Sequence, residues 1–180
     1  MSSKIKYLFA ITTLLVLAVT FTGCIISAGT HGSIKGYRYP ITKDKLEIAV
    51  MSAIKSNPDI YRDSTNKNYI IDKTNGKNDT IIDNYYNDGK SYLTIKIKDL
   101  AKEYEYTFRY YGGEEDWKVS SSSEIFICYI TDDNGKALSE GNGDWQKASD
   151  VFKKKVISLF EVELVAHIDK ELNLTHTETE

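Results

Sequence analysis

The chain has 180 residues, of which 23 are Lys or Arg and 26 are Asp or Glu, so its formal net charge is −3. After removal of a leader this length predicts one domain, and it is enough to bury a hydrophobic core. The mildly acidic charge argues against a nucleic-acid-binding protein, which would present a basic face.

The beginning of the chain has the three parts of a secretory signal peptide. Residues 1–6 carry two lysines and no acid, and residues 7–21 are apolar apart from three threonines. The small pair Thr22-Gly23 then precedes Cys24. A basic head, an apolar middle and a small-residue end predict export followed by cleavage. The apolar stretch is too short for a transmembrane helix, which needs about 20 apolar residues.

The order Phe21-Thr22-Gly23-Cys24 resembles the lipobox of bacterial lipoproteins, although Leu is commoner than Phe at its first position. The resemblance implies that residues 1–23 are removed, that the Cys24 thiol receives a diacylglycerol, and that the new amino group is acylated. Two or three acyl chains on Cys24 are enough for stable attachment to a membrane. Ile25 stands where Asp often marks inner-membrane retention, which favours the outer membrane if the bacterium is Gram-negative.

The lipoprotein interpretation gives a plan for the whole chain. It predicts a signal peptide over 1–23, a lipidated flexible tether over 24–36, one domain over 37–172 and a disordered tail over 173–180. Small Ser and Gly residues predict the flexibility of the tether. An ordinary secretory signal with a chance cysteine, or an uncleaved membrane anchor, is the alternative interpretation.

Two amphipathic helices are predicted. The first follows Thr42, a candidate N-cap, and ends at Asn57, because the residue before Pro58 is driven out of the helical region. Its apolar residues recur at helical spacing, and they are Leu46, Ala49, Val50, Ala53 and Ile54. The second helix is predicted over about Gln146 to Leu172, which contains no Gly or Pro. Its broad apolar stripe includes Ala148, Val151, Phe152, Val156, Phe160, Val162 and Ile168.

Several strands are predicted between the helices. Residues 68–72 and 79–83 flank an Asn-Gly turn, and residues 93–98 and 103–110 alternate between apolar and polar. Residues 124–131 are apolar on both faces and predict a central strand. Short connections favour antiparallel pairing. We therefore expect an α+β, two-layer domain with a mostly antiparallel sheet of four to six strands and both helices on one face.

Residues that carry catalytic or metal chemistry are sparse in this sequence. The chain has three histidines, which are His31, His167 and His176. None has a Cys, His or acid at zinc-ligand spacing, and the acidic turns 114–116 and 132–134 lack the spacing of a calcium-binding EF-hand. No metal or cofactor is expected. Cys128 lies in an apolar run and is expected to be a small buried hydrophobe.

Tyrosine is unusually frequent, with 13 Tyr against 6 Phe and 2 Trp. Tyr85, Tyr86 and Trp117 lie near predicted loops and are candidate partner-binding residues, because such rings combine a flat apolar face with a polar tip. The alternative, which the sequence supports equally, is that these three side chains cover the open face of the sheet. That covering role is the preferred interpretation for the regularly alternating Tyr104, Tyr106 and Tyr110.

Two classes of function follow from these features. The preferred one is a non-enzymatic binding or assembly module in the bacterial cell envelope, anchored by Cys24 and recognising a protein or glycan partner. The alternative is a small envelope hydrolase with an unrecognised pair of carboxylates, whose spacing would be set by the fold.

Overall fold

Among the residues that the structure describes, the domain is built on a seven-stranded antiparallel sheet. The structure is a computed structural model, and it describes residues 32–62, 68–72, 79–83, 85–132, 134–141 and 143–179. The predicted signal peptide, Cys24 and the first part of the predicted tether lie outside the described residues. No helix within these ranges combines the length and the apolarity that crossing a bilayer requires.

The described elements follow the predicted order of helix, strands and helix. The strands are β1 (Lys35–Tyr39), β2 (Ile60–Tyr61), β3 (Asn68–Asp72), β4 (Asp79–Asp83), β5 (Tyr92–Asp99), β6 (Lys102–Tyr110), β7 (Ser123–Thr131), β8 (Ala137–Leu138) and β9 (Thr177–Thr179). The helices are α1 (Lys43–Ser56), α2 (Glu114–Val119), α3 (Asp144–Lys147), α4 (Asp150–Phe160) and α5 (Ala166–Leu172). A 3-10 turn covers Tyr85–Asn87, and a π turn over Glu161–Val165 joins α4 to α5.

The main sheet has the strand order β2-β5-β6-β7-β1-β9, and β8 pairs with the last residues of β7. Strands β3 and β4 form a separate antiparallel pair. The described pairings are all antiparallel. The predicted α+β class is confirmed, and β7 is the predicted central strand. The main sheet has seven strands where four to six were expected, because β2 and β9, which were not predicted, join it, whereas the predicted strands β3 and β4 pair separately.

One face of the sheet carries the helices and the main core. Leu93, Ile95 and Ile97 of β5 are buried in this core, as their alternation predicts. The predicted apolar face of α1 is confirmed, because all five of its residues are buried in the same cluster. Thr42 does stand at the N-cap of α1, but its side chain makes no capping hydrogen bond.

The predicted long C-terminal helix is confirmed over residues 150–172, but it begins later than the predicted start at about Gln146. α3 ends before Ala148, and α4 begins after Ser149. The Phe152 N–H donates to the Ser149 hydroxyl at 3.3 Å, so this serine caps a new helix. The continuous apolar stripe in the sequence does not indicate that a new helix begins after Ser149.

The π turn changes which residues of the C-terminal helical region face the core. A π turn holds more residues than an α-helical turn and therefore rotates the apolar face that follows. Leu164 and Val165 are buried, whereas Val162, which belongs to the predicted stripe, is exposed. Val151, in the first turn of α4, is also exposed.

The ordered domain begins before the predicted boundary at residue 37. β1 starts at Lys35, and the Ile34 N–H donates to the Ile127 carbonyl at 2.9 Å. Gly36, which the sequence suggested was part of a flexible tether, lies where the chain is crowded. A Cβ atom there would lie 2.5 Å from Oε1 of Glu124 and would also collide with Thr179. This glycine therefore permits close packing between strands.

The predicted disordered tail contains a strand. Residues Thr177–Thr179 form β9, which pairs with β1 in the register Gly36↔Thr179 and Arg38↔Thr177. Before it, His176 packs its ring against Tyr37, with centroids 5.3 Å apart, and its Nδ1 lies 3.0 Å from the Asp169 carboxylate. The polar composition of this segment predicted disorder, because composition carries no information about these long-range contacts.

Candidate functional site

The helix-free face of the sheet carries an aromatic cluster, defined here as Tyr86, Tyr92, Phe126, Cys128 and Tyr129. The Tyr86 ring makes edge contacts with Tyr92 and Tyr129, at centroid distances of 5.6 and 5.4 Å. A bulge in the pairing of β6 with β7 leaves Cys128 without a register partner. Consecutive residues Cys128 and Tyr129 consequently join the same cluster, which regular alternation would forbid.

Arg109 closes one side of the aromatic cluster. Its guanidinium lies 5.3 Å from the Tyr92 ring centroid and 5.2 Å from that of Phe126. Nη1 of Arg109 also donates to the Tyr92 hydroxyl at 3.2 Å. These cation–π and hydrogen-bonding contacts hold the cluster against the sheet.

The segment that carries Tyr86 is fixed by its own turn chemistry. The Asp88 carboxylate accepts hydrogen bonds from the backbone N–H groups of Lys90, Ser91 and Tyr92, at 2.8, 2.7 and 2.9 Å. Such acidic turns organise the backbone locally. The Thr94 hydroxyl donates to the Tyr86 carbonyl at 2.8 Å and ties the segment to β5.

A cavity of about 360 Å³ lies beside the aromatic cluster on the same face. We call it the open-face cleft. Its lining residues come from β2, β5, β6, β7, β8 and the Tyr85–Asn87 turn, and they are Tyr61, Tyr86, Asn87, Thr94, Lys96, Glu105, Thr107, Tyr129, Thr131 and Ala137. Four of them, Thr94, Lys96, Glu105 and Thr107, are polar residues of the alternating strands, which the sequence placed on the wet face of the sheet.

The floor of the open-face cleft is hydrogen-bonded. The hydroxyl oxygens of Thr94 and Thr107 lie 3.0 Å apart across β5 and β6. Lys96 and Glu105 are direct cross-strand partners, but the Lys96 ammonium pairs with Glu103 at 3.1 Å. Within the described residues, the Glu105 carboxylate forms neither a hydrogen bond nor an ion pair. The cleft thus contains one acidic acceptor that is available to a ligand.

Several titratable groups around the cleft have pKa values that their surroundings shift for different reasons. The hydrogen bond to Glu103 raises the pKa of Lys96, so this residue is cationic at neutral pH. Burial raises the pKa of the Tyr129 hydroxyl, and a hydrogen bond with Tyr86 adds to the shift. Burial also raises the pKa of the Cys128 thiol to about 12, which makes it a neutral, unreactive group at physiological pH.

The candidate partner-binding residues of the sequence do not form one site. Tyr86 lines the open-face cleft, whereas the Tyr85 side chain lies outside the described part of the structure. Trp117 belongs to α2 and packs against the main core. Its Nε1 donates to the Tyr111 carbonyl at 2.7 Å, and the Lys43 ammonium lies 4.8 Å from its ring centroid. Trp117 is therefore largely engaged within the domain.

The alternating tyrosines of β6 face the helices, not the open side of the sheet. Tyr104, Tyr106 and Tyr110 are buried in the main core, and the Tyr106 hydroxyl donates to the Val156 carbonyl at 2.9 Å. Alternation identified a common face correctly but did not indicate which face the helices cover. The expectation that they cover the open face was wrong.

The acidic turns serve local structure. The Gly113 N–H donates to the Asp116 carboxylate at 2.9 Å, and the N–H groups of Asn134 and Lys136 donate to Asp132 at the same distance. No group of three or more potential metal ligands occurs among the described residues. In the described lining of the open-face cleft, Glu105 is the one carboxylate.

Comparisons with known proteins give no relative from which a role can be transferred. No protein family, no curated protein and no solved structure matches this chain. The function must therefore be argued from the residues themselves.

Proposed function

We propose that the protein is a lipoprotein of the bacterial cell envelope, held on the membrane by acyl chains on Cys24. Its domain acts as a non-enzymatic binding module that recognises its partner through the open-face cleft. The anchor rests on the lipobox-like order of residues 21–24 and the signal-peptide pattern before it. The tether between Cys24 and β1 gives the domain reach away from the bilayer.

The open-face cleft is the observation that carries the binding half of the proposal. Its floor is formed by the hydrogen-bonded strands β5, β6 and β7, and the Tyr86 segment of its wall is tied to β5 by the hydrogen bond from Thr94. Preformed concave sites with aromatic walls and a few aimed polar groups are typical of ligand-binding sites. A site whose side chains are already held by such contacts loses little conformational freedom when its ligand binds.

Labelling of the two cysteine variants tests the anchor. Cells grown with an alkyne fatty acid should label the wild-type chain and the Cys128→Ser variant but not Cys24→Ser. Mass spectrometry of the membrane fraction should find a mature chain that begins at an acylated Cys24. A soluble product cut elsewhere, or a labelled Cys24→Ser chain, would contradict the anchor.

Site-directed photo-cross-linking in intact cells tests the binding role. Tyr61 lines the cleft and is 54% exposed, so a photoreactive residue placed there meets whatever enters. Val119 is 86% exposed and lies outside the cleft lining, which makes it the matched control position. We expect discrete adducts from position 61 alone. Equal adducts at both positions would contradict the role of the cleft.

A turnover assay tests the non-enzymatic half of the proposal. The purified chain is incubated with isolated envelope polymer, and the release of reducing ends and of free amino groups is measured. We expect no release above a heat-inactivated control. Steady release that Glu105→Gln abolishes would favour the hydrolase alternative.

A further inference from the structure

The described lining of the open-face cleft carries one cation and one anion. Lys96 is the cation and Glu105 the anion among its described residues, and they stand directly opposite each other on β5 and β6. An anionic ligand would approach the Glu105 carboxylate, and a cationic ligand would approach the Lys96 ammonium. Since like charges brought together in a site oppose binding, and the Lys96 ammonium is already paired with Glu103, the unpaired Glu105 carboxylate disfavours an anionic ligand.

The polar groups of the cleft include donors and acceptors within a short distance of one another. The Glu105 carboxylate only accepts hydrogen bonds, whereas the Lys96 ammonium has three donors, one of which is directed at Glu103. Thr107 and Thr131 add hydroxyl groups, which both donate and accept. A ligand rich in hydroxyl groups matches such a mixture, because each of its hydroxyls also does both.

Aromatic side chains form part of the walls of the cleft. Tyr61, Tyr86 and Tyr129 contribute three aromatic rings to the lining. Tyrosine rings pair an apolar face with a polar tip. A sugar ring has the complementary form, with an apolar C–H face and hydroxyl groups around its rim.

The position of the cleft argues against a peptide as its ligand. An extended peptide commonly gains affinity by adding a strand to a free sheet edge. Most of the cleft lies on the face of β5, β6 and β7, whose backbone groups are engaged in the ladders between these strands, while Tyr61 and Ala137 come from the outer strands β2 and β8. Side chains therefore provide most of its hydrogen-bonding groups.

We propose that the open-face cleft binds a short segment of an uncharged glycan. The Glu105 carboxylate accepts hydrogen bonds from sugar hydroxyls, and the rings of Tyr86 and Tyr129 contact the sugar C–H surface. The volume of about 360 Å³ is within the range of small-ligand sites and suits a segment of a chain. This inference rests on the proposed binding role and adds the chemical class of the ligand.

Calorimetric titration of the full, lipidated chain in phosphatidylcholine vesicles tests the inference, since sugar-headed detergents would compete. The probes are tetrasaccharides of β-1,4-linked N-acetylglucosamine, β-1,4-linked glucose and α-1,4-linked glucose, with the anionic tetragalacturonate for comparison. We expect at least one neutral tetrasaccharide to bind and tetragalacturonate to bind at least tenfold more weakly than that probe. Saturation-transfer NMR should place the contact on the sugar ring protons.

Variants locate the binding in the cleft. Glu105→Gln preserves shape and should weaken binding about tenfold, because the sugar hydroxyl then donates to a neutral amide oxygen instead of a charged carboxylate. Tyr61→Ala, at an exposed position, should also weaken it. Glu171→Gln makes the same charge change on an exposed position of α5 and should leave the affinity unchanged.

Three outcomes would overturn the glycan assignment. They are the absence of binding by every neutral tetrasaccharide at millimolar concentration, wild-type affinity in Glu105→Gln, and equal binding of tetragalacturonate. Circular dichroism of each variant establishes that it is folded. Failure of the sugar titrations together with adducts at position 61 would reject the glycan and leave the binding role intact, whereas absence of both would reject the binding role as well.

Discussion

The side-chain amide of Asn57 donates to both the carbonyl oxygen and the carboxylate of Glu163, at 2.9 and 2.8 Å. Asn57 follows the last residue of α1, and Glu163 lies in the π turn. The Asn57 side-chain oxygen also accepts a hydrogen bond from the Asp59 N–H at 2.9 Å. One buried side chain thus joins the end of the first helix to the irregular turn of the C-terminal helical region.

Replacement of Asn57 by Ala should lower the free energy of unfolding by about 2–4 kcal/mol, because it leaves buried polar groups without partners. Thermal and urea unfolding followed by circular dichroism measure the loss. Ser56→Ala is the matched control, since the exposed Ser56 hydroxyl makes one bond, to the Ala53 carbonyl at 3.2 Å. Its cost should stay below about 0.5 kcal/mol. Equal losses in the two variants would contradict the role of Asn57.

Two tyrosines of β6 form a matched pair that measures how much the hydrogen bond of one buried hydroxyl contributes to the free energy of unfolding. The Tyr106 hydroxyl bonds to Val156, whereas the buried Tyr110 hydroxyl has no hydrogen-bond partner among the described residues. Tyr106→Phe should therefore lower the free energy of unfolding by about 1 kcal/mol, and Tyr110→Phe should leave it unchanged or raise it. Urea unfolding of both variants measures the difference, and a larger loss for Tyr110→Phe would refute the assignment.

Gly36→Ala should detach β9 from the sheet. The added methyl group meets Glu124 and Thr179, so the free energy of unfolding should fall by about 1–3 kcal/mol. Hydrogen exchange followed by mass spectrometry should show faster exchange in residues 177–179. Gly113→Ala is the control, because the nearest atom to its added Cβ lies 3.9 Å away. Unchanged exchange of residues 177–179 in Gly36→Ala would count against close packing at Gly36.

Leu100 stands at the tip of the β5–β6 hairpin with a φ of +56° and is fully exposed. A left-handed conformation is costly for Leu and tolerated by Asn. Leu100→Asn should therefore raise the free energy of unfolding by about 0.5–1 kcal/mol, as thermal unfolding would measure. The neighbouring Ala101→Asn, at a position without positive φ, should bring no gain. A lower stability of Leu100→Asn would show that the leucine side chain itself stabilises the hairpin.

Alkylation of Cys128 should depend on unfolding. Its pKa of about 12, which burial causes, keeps the thiol protonated and unreactive below that pH in the folded state. In a Cys24→Ser background, iodoacetamide at pH 8 should leave the folded chain unmodified and label it completely in concentrated urea. Rapid labelling of the folded chain would contradict the burial of this thiol.

Much of the fold follows from local patterns. The alternation in β5 and β6 and the spaced apolar face of α1 each indicate one buried side of an element, and the apolar run of β7 indicates burial on both sides. The structure confirms all of them. The side of the sheet on which these elements pack is a relation between elements. Tyr104 and Tyr106 therefore appeared to be sheet cover, although they belong to the main core.

The candidate site was predictable only in part. Tyr86 was singled out as an aromatic residue in a predicted loop, and it does line the cleft. Its neighbour Tyr129 depends on the bulge at Cys128, for which an uninterrupted apolar run gives no signal. Glu105 was one of several wet-face residues, and only its position opposite Lys96 and beside the aromatic cluster distinguishes it. Trp117 was selected on composition, and its contacts with Tyr111 and Lys43 are long-range.

The pairing of β1 on both sides has a mechanical consequence. β1 lies between β7 and β9, and its first residues pair with Ile127 and Thr179. A load that enters the domain along the chain from residues before Lys35, directed along the strand, must shear two ladders of backbone hydrogen bonds together. If β1 were an edge strand, the same load would have to break a single ladder of backbone hydrogen bonds. The short C-terminal strand therefore adds resistance to extraction where the chain enters the domain.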